Sequence, residues 1–392
     1  MRVITESAEL AEACAAFARA PYVCVDTEFL RERTYYAQLC LVQLSAPGAD
    51  GPAGGEAVIV DPLAEGIGLA PLFRLMGDSR VVKVFHAARQ DVEIFYNLGQ
   101  IIPEPLFDTQ VAAMVLGYGE QVGYETLARK IAKADLDKSS RFTDWSRRPL
   151  SEKQLDYAIG DVTHLRQVYE TLSQRLEASG RTHWVAEEMA ILTDPATYDT
   201  DPEEAWRKVK ARTSNPEMLA VVRELARWRE LAARERDVPR SRLLKDDAIA
   251  EVAAARPRTM EQLMKLRMLQ REGRRADIAE EILEAVARGL DCPPADRPRL
   301  EPPPRRREGS VAVSDLLRVF LKARADELGI ASKLIATSAE LDALAGDDQP
   351  DVPALHGWRF EVFGRDALRL REGGIGLCAG KKGVSVIEID AT

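Results

Sequence analysis

"YVCVDTEF", residues 22–29, decides how the front of this chain is read. Val23 and Val25 recur with the period of a β-strand and mark a buried face. Asp26 and Glu28 then fall together on the other face. Two carboxylates side by side repel, and each raises the other's pKa. A strand that ends this way is built to hold something positive.

The flanking sequence supplies a sheet for that strand. "YAQLCLVQLS" and "EAVIVDP" follow at close spacing with turn residues between, which predicts an antiparallel meander. "LAPLFRLMG" is helical, "VVKVFHA" returns to strand and "ARQDVEIFYNLG" is helical. "LFDTQVAAMVLGYG" begins with Asp108 and Thr109, a cap more than a metal pair. "GYETLARKIAKA" and "SEKQLDYAIGDVTHLRQVYETLSQRLEASG" are periodic helices. The first 200 residues are therefore α/β with a mixed sheet. Alanine-rich "MRVITESAELAEACAAFARA" reads as an amphipathic first helix. Glu6, Glu9 and Glu12 interrupt it where an export signal needs an apolar core.

Strand patterns stop near residue 200. Residues 216–290 read as helices broken at Pro239 and Pro257. "DCPPADRPRLEPPPRRREGS", 291–310, is too proline-dense for packed structure and predicts a semi-rigid linker. Helical patterns resume beyond it, and "GIGLCAGKKGVSVIEID" closes as a small hairpin. The expected divisions are 1–204, an α/β domain; 205–292, a first helical bundle; 293–310, the linker; and 311–392, a second bundle with the hairpin. At 392 residues the chain has room for several cores.

Charge follows the same division. The net charge is −9. Residues 1–200 hold 19 Lys and Arg against 29 Asp and Glu, whereas residues 205–300 hold 22 against 16. A basic segment behind an acidic front is either a footprint for a polyanion or a solvated helix surface. Arg223, Arg227 and Arg234 recur at helical spacing and fit the second reading by themselves. The five cysteines lack any paired zinc spacing and read as reduced thiols of a cytoplasmic protein. No apolar run is long enough to span a membrane.

Further acids complete the pattern. Asp91 lies just inside the helix after "VVKVF", and Asp161 follows Tyr157 by four residues on one helix face. Asp26, Glu28, Asp91 and Asp161 are hard oxygen ligands suited to Mg2+ or Mn2+. Two such ions about 3.5–4 Å apart are a recurring clamp for in-line attack on a phosphodiester. Tyr157 is placed to orient the attacking water. Each feature alone is common; the ordered combination is specific.

"VDTEF", "FHAARQD" and "YAIGD" resemble, in order, the three motifs of the DEDD exonuclease superfamily, tyrosine branch. "TDWSRRPLSEKQLDYAIGDVTHL" resembles the ribonuclease D family through its third-motif region. Residues 206–290 resemble the HRDC domain, and 311–370, with "LHGWRFEVFG", the second and more divergent bundle of that family. The resemblance implies a ribonuclease H-like exonuclease fold followed by two small all-α bundles. It implies that Asp26, Glu28 and Asp161 hold two divalent ions, with Asp26 bridging, that Asp91 acts largely through bound water, and that Tyr157 positions the nucleophile. It also implies a 3′→5′ exoribonuclease releasing 5′-mononucleotides from RNA, especially tRNA precursors with 3′ extensions. A DNA 3′→5′ exonuclease and a catalytically silent RNA-binding module are the competing functions. The retained acids and Tyr157 argue against the silent module.

Other residues carry two readings each. His86 is a structural partner or a substrate contact. Thr27 and Phe29 alternate with the acids; Thr27 is a substrate contact or a structural residue, and Phe29 is core or a platform for a base. Lys138 and Arg141 are phosphate contacts or members of a solvated loop. Trp145 anchors that loop. The expected state is a monomer without membrane attachment.

Overall fold

The computed structural model describes residues 2–49, 51–136, 143–267, 276–300, 307–381 and 383–389. Strands β1 (Arg2–Ile4), β2 (Tyr22–Leu30), β3 (Gln38–Ser45), β4 (Ala57–Val60), β5 (Val82–Phe85) and β6 (Leu106–Asp108) form one sheet in the order β1-β4-β3-β2-β5-β6. β4 runs parallel to β1 and antiparallel to β3, while β5 runs parallel to β2 and β6. The sheet is mixed, as the sequence pattern predicts, and β2, β3 and β4 are neighbours. Apolar runs in β2 to β5 are buried because helices cover the sheet.

Two strands escape the sequence reading. β1 replaces the start of the expected first helix, which runs only over α1 (Ser7–Phe17), and β6 precedes the Asp108 cap. Each has three residues, too few for a period-two pattern to emerge. Lys83 on β5 is fully buried, and its ammonium donates to the carbonyls of Asp78 and Val81, 2.7 Å each, and of Glu104. That capture explains a lysine inside a central strand.

The next helices are α2 (Ala70–Met76), α3 (Arg89–Gly99), α4 (Thr109–Val115), α5 (Glu152–Thr163), α6 (Leu165–Ser179) and α7 (Thr182–Leu192). The "GYETLARKIAKA" helix is short, with an α-turn at Tyr124–Leu127 widening to a π-turn at Ala128–Ala132. The long helix expected over 151–180 is two, α5 and α6, broken at His164. Side chains take the carbonyls that would continue the ladder. Ser45 Oγ donates to Val162 O at 2.7 Å, and Arg166 Nε to Thr163 O at 3.1 Å. The same two residues fasten α5 to β3, since Arg166 also reaches Ala46 O at 2.9 Å.

Packing divides the chain into two compact units that do not follow its linear order. One comprises Met1–Glu28, Cys40–Asp194 and Pro303–Thr392; the other comprises Phe29–Leu39 and Pro195–Pro302. The second unit is built on α8 (Pro216–Glu235), α9 (Asp246–Ala255) and α10 (Ala276–Asp291), with an apolar core that includes Leu225, Ile249 and Ile282. The breaks around Pro239 and Pro257 fall where expected.

In the first unit, α11 (Ser310–Leu328), α12 (Ser338–Gly346), α13 (Arg365–Arg371) and the hairpin β7 (Ile375–Gly380)–β8 (Gly383–Glu388) form the helical part after the linker. It docks on α7. Trp358 stacks on Trp184 with centroids 4.7 Å apart and planes 16° apart. Glu188, nearly buried, accepts from Trp358 Nε1 at 3.0 Å and from Arg359 at 2.8 Å. No helix among the described residues is long and apolar enough to cross a membrane.

Candidate metal centre

Sequence places the acids; the sheet brings them together. The parallel ladder between β2 and β5 covers Tyr22 to Cys24, so the end of β2 with Asp26 and Glu28 projects past it. α5, launched by a capping box of Ser151 and Gln154, crosses this end and delivers Asp161. Carboxylate oxygens of Asp26, Glu28 and Asp161 lie within 4.8 Å of one another. α3 delivers Asp91 in its first turn, where the helix dipole favours an anion.

Asp91 is buried and accepts a 2.5 Å hydrogen bond from Thr27 Oγ1. The threonine between the two β2 acids thus points to the other face and ties β2 to α3. Its hydroxyl orients an acid in this structure. Burial holds the carboxyl of Asp26 well above the usual range, and Asp161 adds to the effect against a hydrogen bond from the Thr27 amide. Asp91 is raised likewise, by burial first and by Asp26 next. Among the causes at Asp26 the charged neighbour is another acid. A set of hard oxygen donors that repel one another fits a divalent cation.

Tyr157 sits one turn before Asp161 on α5, half-buried, with its ring 6.0 Å from that of Trp145. Trp145 is buried. The described stretch after it is held by a residue the sequence reading missed. Arg148 forms a two-pronged pair with Asp61, Nε to Oδ2 and Nη2 to Oδ1 at 2.6 Å each, and donates to Cys40 O and Trp145 O. Tyr124 was also missed. Its hydroxyl donates to Gly160 O at 2.9 Å, directly before Asp161, and burial and the Asp161 charge raise its pKa. Neither residue has a local sequence signal, because their partners lie 87 and 36 positions away.

The remaining candidates separate. His86 Nδ1 pairs with Thr109 Oγ1 at 3.0 Å, and Thr109 Oγ1 donates to Phe85 O. Burial lowers the His86 pKa against the pull of Asp108. Asp108 accepts from the Gln110, Ala87 and Ala88 amides, so it caps α4 and braces the turn entering α3. Phe29 is half-buried at the end of β2. Lys138 and Arg141 lie outside the described residues. Cys14, Cys24, Cys40 and Cys292 are buried, Cys378 is exposed, and none forms a disulfide.

Residues 1–177 match a family model for a 3′-5′ exonuclease, and residues 218–286 match the HRDC domain. The chain is similar to a ribonuclease D of Jannaschia sp. (strain CCS1), 54% identical over 98% of this chain and 99% of the other. It is similar to a ribonuclease D of Nitrobacter hamburgensis, 49% identical over 99% and 100%. Its fold matches a crystal structure of Escherichia coli RNase D, described as an exoribonuclease involved in structured RNA processing. That match has a TM-score of 0.82 and 27% identity over 95% of this chain and 98% of that one.

Proposed function

This chain belongs to the ribonuclease D family and is a 3′→5′ exoribonuclease, and from that premise we propose how its residues divide the work. The observation that carries the proposal is the meeting of Asp26, Glu28 and Asp161 within 4.8 Å at the end of β2. Divalent-metal dependence follows from the family and from this donor set. The finer reading is two ions, Mg2+ or Mn2+, which Asp26, Glu28 and Asp161 would hold, Asp26 serving both, with Asp91 assisting through water. Ions held there would lower the pKa of an attacking water and offset charge on the oxygen leaving the scissile phosphate.

The chain's own groups set the geometry. Tyr157 orients the attacking water from one turn before Asp161. Tyr124 and Ser45 hold the α5 carbonyls that fix the height of Asp161. Thr27 holds Asp91. The products are 5′-mononucleotides, and the substrates are tRNA precursors with 3′ extensions and other small structured RNAs. Residues 1–204 are the catalytic domain, 205–292 and 311–392 the bundles, and 293–310 the linker between them. The basic excess of 205–300 supports RNA contact by the first bundle, and the protein works as a cytoplasmic monomer.

The test uses a labelled RNA and a matched DNA oligonucleotide, each with Mn2+ or with chelator. Shortening of the RNA from its 3′ end, only with metal, is the expected result. Preferential shortening of the DNA would move the substrate to the competing class, and cleavage in chelator would remove the metal assignment.

A further inference from the structure

Residues 31–37 join β2 to β3, and β2 enters this segment at Leu30, two residues past Glu28. A connection of this kind normally runs over the surface with few anchors. Here the whole of Phe29–Leu39 packs in the unit formed by the first bundle. The anchor is Tyr35. Its ring lies against the bundle core, under the guanidinium of Arg240 at 4.7 Å. Its hydroxyl donates to Glu230 and accepts from Arg240 Nη2 at 2.9 Å and Arg234 Nε at 3.2 Å. The amides of Tyr35 and Tyr36 both donate to Asp237 Oδ1, at 3.0 and 3.1 Å. Glu230, 1% exposed, also binds Arg240 and Arg234. Backbone and side chain of the segment are therefore both gripped by α8 and the turn after it.

The grip matters because of where the segment starts. The β5 ladder ends at Cys24, so past that point the strand end bearing Asp26 and Glu28 is flanked in the sheet by β3 and no longer by β5, and how Phe29–Leu39 is held bears directly on it. We propose that Tyr35 and Glu230 are positioning residues for the metal centre: by clamping Phe29–Leu39 to the first bundle they fix the end of β2, and with it the Glu28 carboxylate. The first bundle then serves the chemistry itself, apart from any hold on RNA. This inference rests on the proposed role of Glu28.

The test uses the full-length protein carrying Glu230→Ala or Tyr35→Phe. Glu188→Ala, which breaks a comparable buried carboxylate clamp at the other bundle, is the matched control. The substrate is a tetranucleotide RNA, so that long-range grip on RNA does not enter. Steady-state kinetics, Mn2+ binding by electron paramagnetic resonance and hydrogen exchange of residues 29–39 are measured together. The expected result is loss of amide protection at 29–39, weaker Mn2+ binding and a kcat lower by about 10- to 100-fold with KM nearly unchanged, as for a small misplacement of a catalytic group. Tyr35→Phe gives the smaller effect in the same direction, and Glu188→Ala leaves kcat and Mn2+ binding alone. If Glu230→Ala does not fold, Tyr35→Phe decides. Wild-type kcat and Mn2+ affinity in a variant that has lost protection at 29–39 would overturn the proposal, as would retained protection in both variants. Failure of the wild-type protein to shorten the RNA would instead strike the enzymatic reading.

Discussion

The end of β2 and the middle of α8 both bury carboxylates, and they treat them in opposite ways. At β2, Asp26 has Asp161 as its charged neighbour, and burial and repulsion push its pKa up. At α8, burial also pushes Glu230 up, but hydrogen bonds from Arg240 and Tyr35 and the charges of Arg240 and Arg234 outweigh it, and its pKa falls. A completed charge network of this kind holds structure. An acid cluster whose charges repel one another stores binding energy for a cation. The contrast separates architecture from function more sharply than residue type does, since desolvation pushes up the acids of both sites.

The comparison breaks most visibly at Asp26. Asp26→Asn keeps the shape and removes the charge. RNA shortening should fall on the order of 10³-fold or more, because transition-state charge is left without its clamp. Melting of the metal-free variant should not fall below wild type, since a repelling charge has gone. Retained metal-dependent cleavage would remove Asp26 from the centre.

Tyr157→Phe is next. The ring stays beside Trp145 while the hydroxyl is lost. A rate lower by about 10²-fold is expected, with Mn2+ binding unchanged in a titration. A fully active variant would make Tyr157 a packing residue.

On the structural side, Glu230→Ala removes the carboxylate that collects Tyr35, Arg234 and Arg240. Both arginines keep some access to water, so the cost should be about 2 kcal/mol, below that of a fully buried pair. Urea denaturation of the full-length protein measures it. An unchanged midpoint would mean the network contributes nothing.

Acid and base separate the two regions by sign, with the smallest effect of the set. Glu230 ionises below its ordinary 4.5 when folded. Its contribution is complete above that pH and is lost as pH falls through the folded value. Asp26 and Asp91 ionise above 3.8 when folded. Their native state holds protons the unfolded chain has released, so the metal-free protein loses stability as pH rises from 3.8 through their folded values. Melting temperatures against pH should show the acid-side loss shrink in Glu230→Gln. The loss on raising pH should shrink in Asp26→Asn and in wild type with Mg2+. The same slope in all proteins would erase the distinction.

Much of the acid cluster was legible because its residues sit in short stretches with local periods. Asp26 and Glu28 alternate on a strand, and Tyr157 and Asp161 share a helix face. The supports were not legible. Arg148 meets Asp61, and Tyr35 meets Glu230, across 87 and 195 positions. No local pattern encodes such a pairing. β1 and β6 escaped for a related reason, because three residues become a strand only when a neighbouring strand is there to pair with them. The break at His164 depends on Ser45 and Arg166 competing for helix carbonyls, which is again a tertiary effect.

The grip on Tyr35 also sets an order of events during synthesis. Arg240 emerges 205 residues after Tyr35. At roughly 5–20 residues per second the ribosome needs about 10–40 s to cover that distance. Through this interval the strand that will carry the acids has its sheet partners but lacks its outer tether. The nascent catalytic end therefore waits, half-tied, for a helix still inside the translation machinery. A recombination event that exchanged the first bundle as a cassette would have to bring residues 29–39 with it.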